Sequence, residues 1–281
     1  MKYQRPPYTY VSHLSLIVAD LDRSMAFYQS VIGLSVLEKS GKLVRFSANG
    51  NDEILTVEQP ENVIPKERQT TGLYHFAMLL PNRASLADQL KHFRESGTSI
   101  TGASDHHVSE AIYLEDPDGN GIEMYIDRQY VEPDQMGTAP LDVGDLLKES
   151  SDKKWNGVHA DTVIGHIHLK VADLLTAVEF YRDIIGFDLM MKIGESAAFL
   201  SSGGYHHHLG LNIWESAGGK KPLPNSVGLK HLTLVLPDQK SLDKTRQKIQ
   251  KEDIPFRKEE EILEVEDPSG NLVRLTVANE Q

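Results

Sequence analysis

Hydrophobic and polar residues alternate in short stretches along the whole chain, and several of these stretches are followed by a segment with the hydrophobic spacing of a helix. In GHIHLKV, residues 165–171, every second residue is apolar, as on a strand whose successive side chains point to opposite faces. In DLDRSMAFYQSVIG, residues 20–33, the apolar residues recur at the spacing of one helix face. Glycine, asparagine and aspartate mark the breaks between segments. The pattern therefore predicts short strands interspersed with helices.

The same pattern occurs twice in the chain. VSHLSLIVAD, which contains His13, matches IGHIHLKVAD, which contains His166. GLYHFAMLLP, which contains His75, matches GLKHLTLVLP, which contains His231. Because the matched histidines lie about 155 residues apart in both pairs, the sequence indicates an internal duplication.

Each repeat divides again into two similar modules that begin with a strand, continue with a helix and end with further strands. The pattern predicts an α+β fold of four βαβββ modules. The modules are expected at residues 8–60, 70–130, 161–217 and 226–281. The first domain then spans 1–130 and the second 161–281, with a polar connector at 131–160 that contains a short predicted helix in LDVGDLLKE.

Composition narrows the function classes. The chain has 281 residues, enough for two domains with their own cores, and a formal net charge of -12. The acidic balance argues against a nucleic acid or an anionic membrane as the main partner. Cysteine is absent, so any metal must bind histidine and carboxylate side chains. The sequence shows no signal-peptide core and no apolar run of membrane-spanning length, and we expect a cytoplasmic protein, either a monomer or a homodimer.

The polar faces of the predicted strands repeatedly carry histidine and carboxylate side chains. In GGYHHHLGLNIW, residues 203–214, strict alternation puts His206 and His208 on the polar face and His207 on the apolar face. Further residues on the polar faces are His75, Glu123, Tyr125, His166 and His168. Burying such groups is unfavourable unless they are paired or bind something. Two neutral imidazoles and one carboxylate with open positions are typical of non-haem Fe(II) centres, and they also hold Mn, Ni or Zn.

These modules, their strand-opening histidines and Glu123, four residues after the DPDG turn, resemble the vicinal oxygen chelate superfamily. That superfamily includes glyoxalase I, extradiol ring-cleaving dioxygenases and bleomycin resistance proteins. The resemblance covers all four modules and implies that they form two glyoxalase-like curved-sheet barrels. GLYHFAMLLP, SDHHVSEAIYLEDPDGNGIEMYIDR and GGYHHHLGLNIW are most similar to the two-domain catechol 2,3-dioxygenase branch found in bacilli.

The resemblance implies one divalent metal ion, held by a histidine of one module and by a histidine and a glutamate of its partner module. Glu123 ends the second module, whereas Arg274, which cannot bind a cation, stands at the same place in the fourth. His75 and Glu123 are therefore the expected ligands. The third ligand is His13 if adjacent modules pair, and His166 if the second and third modules pair. We favour His166, because the third module carries more polar-face histidines.

The resemblance also implies an activity and the residues that carry it out. We expect an Fe(II)-dependent extradiol dioxygenase that cleaves catechol-like aromatic diols with dioxygen. His208 is the expected general base, with His206 as its alternative, because a histidine titrates near neutral pH. Tyr113 is expected to bind a substrate oxygen. His107, or His106 in its place, is expected to be a further polar residue of the site.

Two other function classes remain. A glyoxalase-type isomerase or lyase normally adds a second glutamate ligand, and the third module has Asn212 rather than glutamate on its last strand. Glu58 supplies that ligand only if adjacent modules pair. A non-catalytic small-molecule binding protein of the resistance type typically lacks the metal ligands, so His75 and Glu123 count against it.

Overall fold

Four modules with the order βαβββ make up the computed structural model, which describes residues 1–128 and 136–278. The first module contains β1 (Tyr10–Ile17), α1 (Leu21–Phe27), β2 (Ser35–Ser40), β3 (Leu43–Ser47) and β4 (Leu55–Glu58). The second contains β5 (Gly72–Leu79), α2 (Arg83–Ser96), β6 (Gly102–Asp105), β7 (Ser109–Glu115) and β8 (Gly121–Asp127). The predicted α+β module order is confirmed.

The second half of the chain repeats this order after a short insertion. The insertion contains β9 (Ala139–Pro140) and α3 (Val143–Leu147), which confirms the predicted short helix. The third module contains β10 (Val163–Lys170), α4 (Leu174–Glu179), β11 (Asp188–Ile193), β12 (Ala197–Ser201) and β13 (Leu209–Asn212). The fourth contains β14 (Gly228–Leu236), α5 (Gln239–Lys251), β15 (Phe256–Glu259), β16 (Ile262–Glu266) and β17 (Leu272–Val277). Connector residues 131–135 and the expected module ends at 130 and 281 lie outside the described residues.

The strands form two sheets, and each sheet takes one module from either side of the connector. One sheet has the order β15-β16-β17-β14-β1-β4-β3-β2 and joins the first and fourth modules. The other has the order β11-β12-β13-β10-β5-β8-β7-β6-β9 and joins the second and third. Both sheets are curved, but their end strands do not meet, so they are open sheets rather than closed barrels. The division of the chain into domains 1–130 and 161–281 stays a prediction.

Local sequence explains where the helices begin and end. Asp20, Asn82, Asp173 and Asp238 precede α1, α2, α4 and α5, and each accepts a hydrogen bond from the backbone N–H three residues later. These caps satisfy N–H groups that have no partner within the helix. Among the described residues, no helix is both long and apolar enough to cross a membrane.

The apolar faces that the alternation predicts pack into the core. In the second sheet, Phe76 and Met78 of β5, Ile122 and Met124 of β8 and Ile167 of β10 are completely buried. Since successive strand residues point to opposite faces, the intervening His75, Glu123, His166 and His168 project to the other side of the sheet. The hydrophobic core therefore fixes the face on which the polar groups collect.

The DP-x-GN turns tie the modules of each chain half together. The hydroxyl of Tyr28, at the end of the first module's helix, donates to Asp116 at 2.8 Å, and Asp116 also accepts from Asn120. The repeated turn has the same arrangement, with Tyr181 donating to Asp267 at 3.0 Å. The buried Asp116 turn leads directly into β8 and so positions the strand that carries Glu123.

Candidate metal centre

Three side chains from three neighbouring strands converge on the inner face of the second sheet. His75 lies on β5, which is flanked by β8 carrying Glu123 and by β10 carrying His166. The Nε2 atoms of both histidines lie 3.1 Å from Glu123 Oε2, and the three ligand atoms are within 4.8 Å of one another. The pairing of β5 with β10 therefore brings His166, and not His13, to this cluster.

The protonation states of the cluster suit a cation. Burial alone would raise the pKa of Glu123, but the charge and hydrogen bond of His166 and the close contact with His75 hold that pKa well below its usual value. Burial lowers the pKa of His166, although the Glu123 carboxylate opposes this effect. An ionised carboxylate and a neutral imidazole are the forms that bind metal ions.

Hydrogen bonding within the cluster is incomplete, as expected if a metal ion completes it. His75 Nε2 is buried, and although it lies 3.1 Å from Glu123 Oε2, it makes no hydrogen bond of good geometry with any of the described residues. A buried polar atom without a partner is unfavourable, and a metal ion on Nε2 removes that cost. In residues 1–128 and 136–278, no other group of three histidine or carboxylate side chains brings its ligand atoms this close. The donors present therefore fit a divalent metal.

A glycine allows the close approach of the two strands that carry His75 and Glu123. Gly121 faces His75 across the β5–β8 pair. A Cβ atom on Gly121 would lie 2.5 Å from the carbonyl oxygen of Tyr74 and 2.9 Å from the Cβ of His75. The neighbouring backbone leaves no room for a side chain, so glycine at 121 is required for the geometry of the cluster.

The cluster lies in a cavity of about 720 Å³ with an aromatic wall. Tyr74, His168 and Trp214 form that wall, with ring centroids 5.1 to 5.5 Å apart. The cavity volume is that of a small-molecule site. Other residues that line it include His106, Tyr113, Lys66, Lys170 and His207.

Tyr113 lies where a substrate oxygen could be bound, and His106 supports it. Tyr113 is opposite Glu123 in the β7–β8 register, with its ring 5.9 Å from that of His75. Burial and the Glu123 charge raise the pKa of Tyr113, so its hydroxyl stays protonated. His106 Nδ1 donates to the carbonyl oxygen of Gly137 at 3.0 Å, so Nε2 of a neutral His106 accepts from the Tyr113 hydroxyl. His106 Nε2 is 2.7 Å from that hydroxyl. The role of Tyr113 stays a prediction.

His107 is expected to be a polar residue of the site, but it lies outside the cavity. Its φ of 67° places it in the left-handed region at a tight turn, where its backbone N–H donates to Asp105. The side chain is exposed and does not line the cavity. His106, the stated alternative, is the member of the pair that faces the cavity.

The triple histidine requires a correction. Residues 205–208 precede β13, and two glycines with positive φ, Gly203 and Gly204, turn the chain just before them. The strict alternation of a strand therefore does not apply. His207, expected on the apolar side, lines the cavity with its ring 4.1 Å from that of His166. Sequence reasoning missed it for this reason.

His208 points away from the cavity, contrary to the expectation that it serves as the base. It is fully buried, and its Nε2 lies 3.0 Å from the carbonyl oxygen of Tyr3. Its Nδ1 accepts from the backbone N–H of Ser202 at 3.2 Å. His206 contacts His207, and its Nε2 lies 2.9 Å from Oδ1 of Asp127. Neither His206 nor His208 lines the cavity.

In the first sheet, an arginine stands at the position that corresponds to Glu123. Arg274 lies 3.2 Å from His231 Nε2 and donates to Glu264 at 2.7 Å. His13 instead contacts Glu53 at 3.1 Å. Burial and Arg274 lower the pKa of His231 to about 3. A guanidinium occupies the position that Glu123 takes in the second sheet, so this position offers no ligand for a cation.

Known proteins resemble this chain in sequence on both sides of the connector. The family model of the Glyoxalase/Bleomycin resistance protein/Dioxygenase superfamily matches residues 10–124 and 163–275. The chain is 42% identical over 283 residues to the catechol-2,3-dioxygenase of Bacillus subtilis strain 168, across 96% of this chain and 98% of the relative. It is 23% identical over 195 residues to the metapyrocatechase of Geobacillus stearothermophilus, across 68% of this chain and 55% of the relative.

Solved structures give the same fold. Glyoxalase I from Zea mays matches with a TM-score of 0.60 at 17% identity, across 96% of this chain and 92% of that one. The CppA protein of Streptococcus pneumoniae TIGR4 matches with a TM-score of 0.58 at 13% identity, across 96% of this chain and 100% of that one. At these identities the likeness concerns the fold alone.

Proposed function

The chain belongs to the glyoxalase/bleomycin resistance protein/dioxygenase superfamily, and from this premise we propose that it is an extradiol dioxygenase that opens catechol-like rings beside their two hydroxyl groups. The observation that carries the proposal is the convergence of His75, Glu123 and His166 on one cavity. The identity of 42% with a catechol-2,3-dioxygenase over nearly the whole chain supports the same reaction class.

The metal ligands proposed are His75, Glu123 and His166, and Fe(II) is the expected ion. Two imidazoles and one carboxylate on one side of the metal are typical of non-haem iron oxygenases, because they leave positions for substrates. Fe(II) bound there would supply Lewis acidity for the diol oxygens and an electron path from the ring to dioxygen. The same donors also hold Mn, Ni or Zn.

Residues of the chain then bind and orient the diol and move its proton. His207 is the proposed general base in place of His208, since it faces the cavity beside His166. Tyr113 remains protonated and donates to His106 Nε2, because Nδ1 of His106 donates to the carbonyl oxygen of Gly137. The phenol oxygen of Tyr113 then accepts a hydrogen bond from a diol hydroxyl. Tyr74 and Trp214 form an apolar wall for the ring and exclude water from it.

A glyoxalase-type isomerase fits the site less well. The third module's last strand, β13, carries no glutamate that could act as a fourth ligand. Glu58 lies in the other sheet, where it pairs with Lys230. A resistance-type binding protein has no need for the buried ligand cluster. The dioxygenase is therefore the function that the site supports best.

The test is reconstitution of the full chain with Fe(II) under anaerobic conditions, followed by addition of catechol and air. Oxygen uptake, the yellow ring-opened product and one bound iron per chain are expected. Glu123→Ala should lose both the iron and the activity. Glu53→Ala is the matched control, because Glu53 contacts His13 in the other sheet as Glu123 contacts His166, and it should retain both. Bound iron without oxygen uptake on any catechol would contradict the proposal.

A further inference from the structure

One face of β10 leads from the candidate metal centre to the mouth of the cavity. His166, His168 and Lys170 occupy alternate positions of this strand and all line the cavity. Because a strand rises about 3.3 Å per residue, the Cα of Lys170 lies about 13 Å along the strand from that of His166. The aromatic wall of Tyr74, His168 and Trp214 lies between these two positions.

Lys170 is largely buried, and its ion pair with a residue of opposite charge is long. Only 6% of the residue is exposed. The nearest carboxylate oxygen, on Glu215, is 3.9 Å away on a side chain that is 66% exposed. Burial and the neighbouring Lys66 lower the pKa of Lys170. A buried ammonium group with so little compensation is unfavourable on its own.

The fold itself does not require a lysine at this position. In the duplicated first module, VSHLSLIVAD aligns with IGHIHLKVAD, and Ile17 stands where the third module has Lys170. Ile17 ends β1 in the same way that Lys170 ends β10. The lysine is thus found in the sheet that holds the metal ligands and is replaced by an apolar residue in the sheet that does not.

We propose that Lys170 binds a carboxylate on the substrate, so that the preferred substrates are catechols with an acidic group opposite the diol. This inference rests on the proposed dioxygenase function. The diol lies at His166, the ring lies along the aromatic wall, and the carboxylate meets the ammonium of Lys170. Lys66 adds a second positive charge at the mouth, while the carboxylates there, Glu115 and Glu215, are on exposed side chains.

The test compares 3,4-dihydroxybenzoate with 4-methylcatechol, which has a similar shape and no charge, on the iron-loaded full chain. We expect kcat/KM to favour the carboxylate, and Lys170→Met to reduce that preference by about ten- to hundred-fold, the range for a charge-assisted hydrogen bond. Lys170→Ile, which introduces the residue found in the duplicated module, should reduce the preference for the carboxylate to a similar extent. Lys192→Met is the control, because Lys192 is exposed on β11 and pairs with Glu195. An unchanged preference in Lys170→Met would overturn the inference.

A calorimetric titration without oxygen measures the binding of the same two compounds in the absence of ring cleavage. Together with the activity assay, it distinguishes failure of the proposed dioxygenase function from failure of the proposed role of Lys170. Ring cleavage without any carboxylate preference would leave the dioxygenase function standing and refute the role of Lys170. Absence of ring cleavage, together with carboxylate binding that is lost in Lys170→Met, would refute the dioxygenase function and support the role of Lys170. Equal binding of both compounds by the unaltered chain and by Lys170→Met would refute that role directly.

Discussion

His206 and His207 are joined by a hydrogen bond between their Nδ1 atoms, which are 2.7 Å apart. On its other side, His206 Nε2 lies 2.9 Å from Asp127 Oδ1. An ionised carboxylate only accepts, so it receives a hydrogen bond from Nε2–H of a neutral His206, and Nδ1 of that ring is left as an acceptor. His207 must then donate from Nδ1. Its Nε2 carries the free lone pair that a general base needs.

We therefore expect His207→Ala to lower kcat by roughly 10²- to 10⁴-fold, the usual contribution of a general base. The iron content should remain one per chain, because His207 is not among the proposed ligands. His208→Gln is the comparison, since His208 contacts Tyr3 and Ser202 rather than the cavity, and its kcat should stay within about threefold of the parent. Steady-state oxygen uptake and metal analysis check both variants. Equal losses in the two variants would contradict the assignment of the base.

The position of Gly121 makes a second prediction about the metal. An alanine there would place its Cβ against the Tyr74 carbonyl and the Cβ of His75, which forces β8 away from β5. Since displacement of a ligand by a fraction of an ångström weakens a metal site, Gly121→Ala should weaken iron binding by roughly ten- to hundred-fold. A competition titration with a chelator measures the change. Gly102→Ala is the control, because its nearest neighbour would be Tyr113 at 3.8 Å, an ordinary contact.

Much of this site follows from local sequence pattern, because His75 and Glu123 lie inside regular strands whose alternation fixes their faces. The choice between His13 and His166 does not, since it depends on the pairing of β5 with β10 across the connector. Both module pairings satisfy the same local pattern. The geometry that selects between them is set by long-range contacts.

The triple histidine shows where the pattern fails. Alternation holds only where a segment pairs as a strand, and β13 begins at Leu209, after the last histidine. His207 therefore reaches the cavity although the pattern assigns it to the core. Lys170 was open to prediction by the same alternation, as it stands four residues after His166 on the same face. The duplicated first module has the apolar residue Ile17 at the position of Lys170, and this difference also indicates that the lysine is not required by the fold.

The arginine in the first sheet leads to a prediction about stability. Arg274 bonds to Glu264 and approaches His231, so Arg274→Met leaves a largely buried carboxylate without its partner. We expect the free energy of unfolding to fall by about 1–2 kcal/mol, while the iron content and the kcat for catechol stay unchanged. Urea denaturation checks the first effect. Arg45→Met, which removes an exposed arginine from long contacts with Glu38 and Glu53, should change stability by less than about 0.5 kcal/mol. A loss of iron in Arg274→Met would contradict the view that this sheet takes no part in the site.

Burial of His208 predicts a loss of stability in acid. Burial lowers its pKa to about 4, despite the opposing hydrogen bond that His208 donates to the carbonyl oxygen of Tyr3, whereas a histidine in the unfolded chain titrates near 6.5. Between these pH values the unfolded state binds more protons than the folded state. The stability that His208 contributes is therefore complete above pH 6.5 and is lost as the pH falls towards 4.

The comparison that isolates this effect is between the metal-free parent chain and His208→Gln. Between pH 7 and pH 4 the parent should lose about 2–3 kcal/mol more free energy of unfolding than the variant, because glutamine cannot take up the proton. The other buried histidines with lowered pKa values, which are His166, His168, His207 and His231, titrate in both proteins and cancel in the difference. Urea denaturation at a series of pH values measures it. Parallel pH profiles for the two proteins would mean that His208 takes up its proton equally well in the folded and unfolded states, and the buried contact with Tyr3 would not hold in solution.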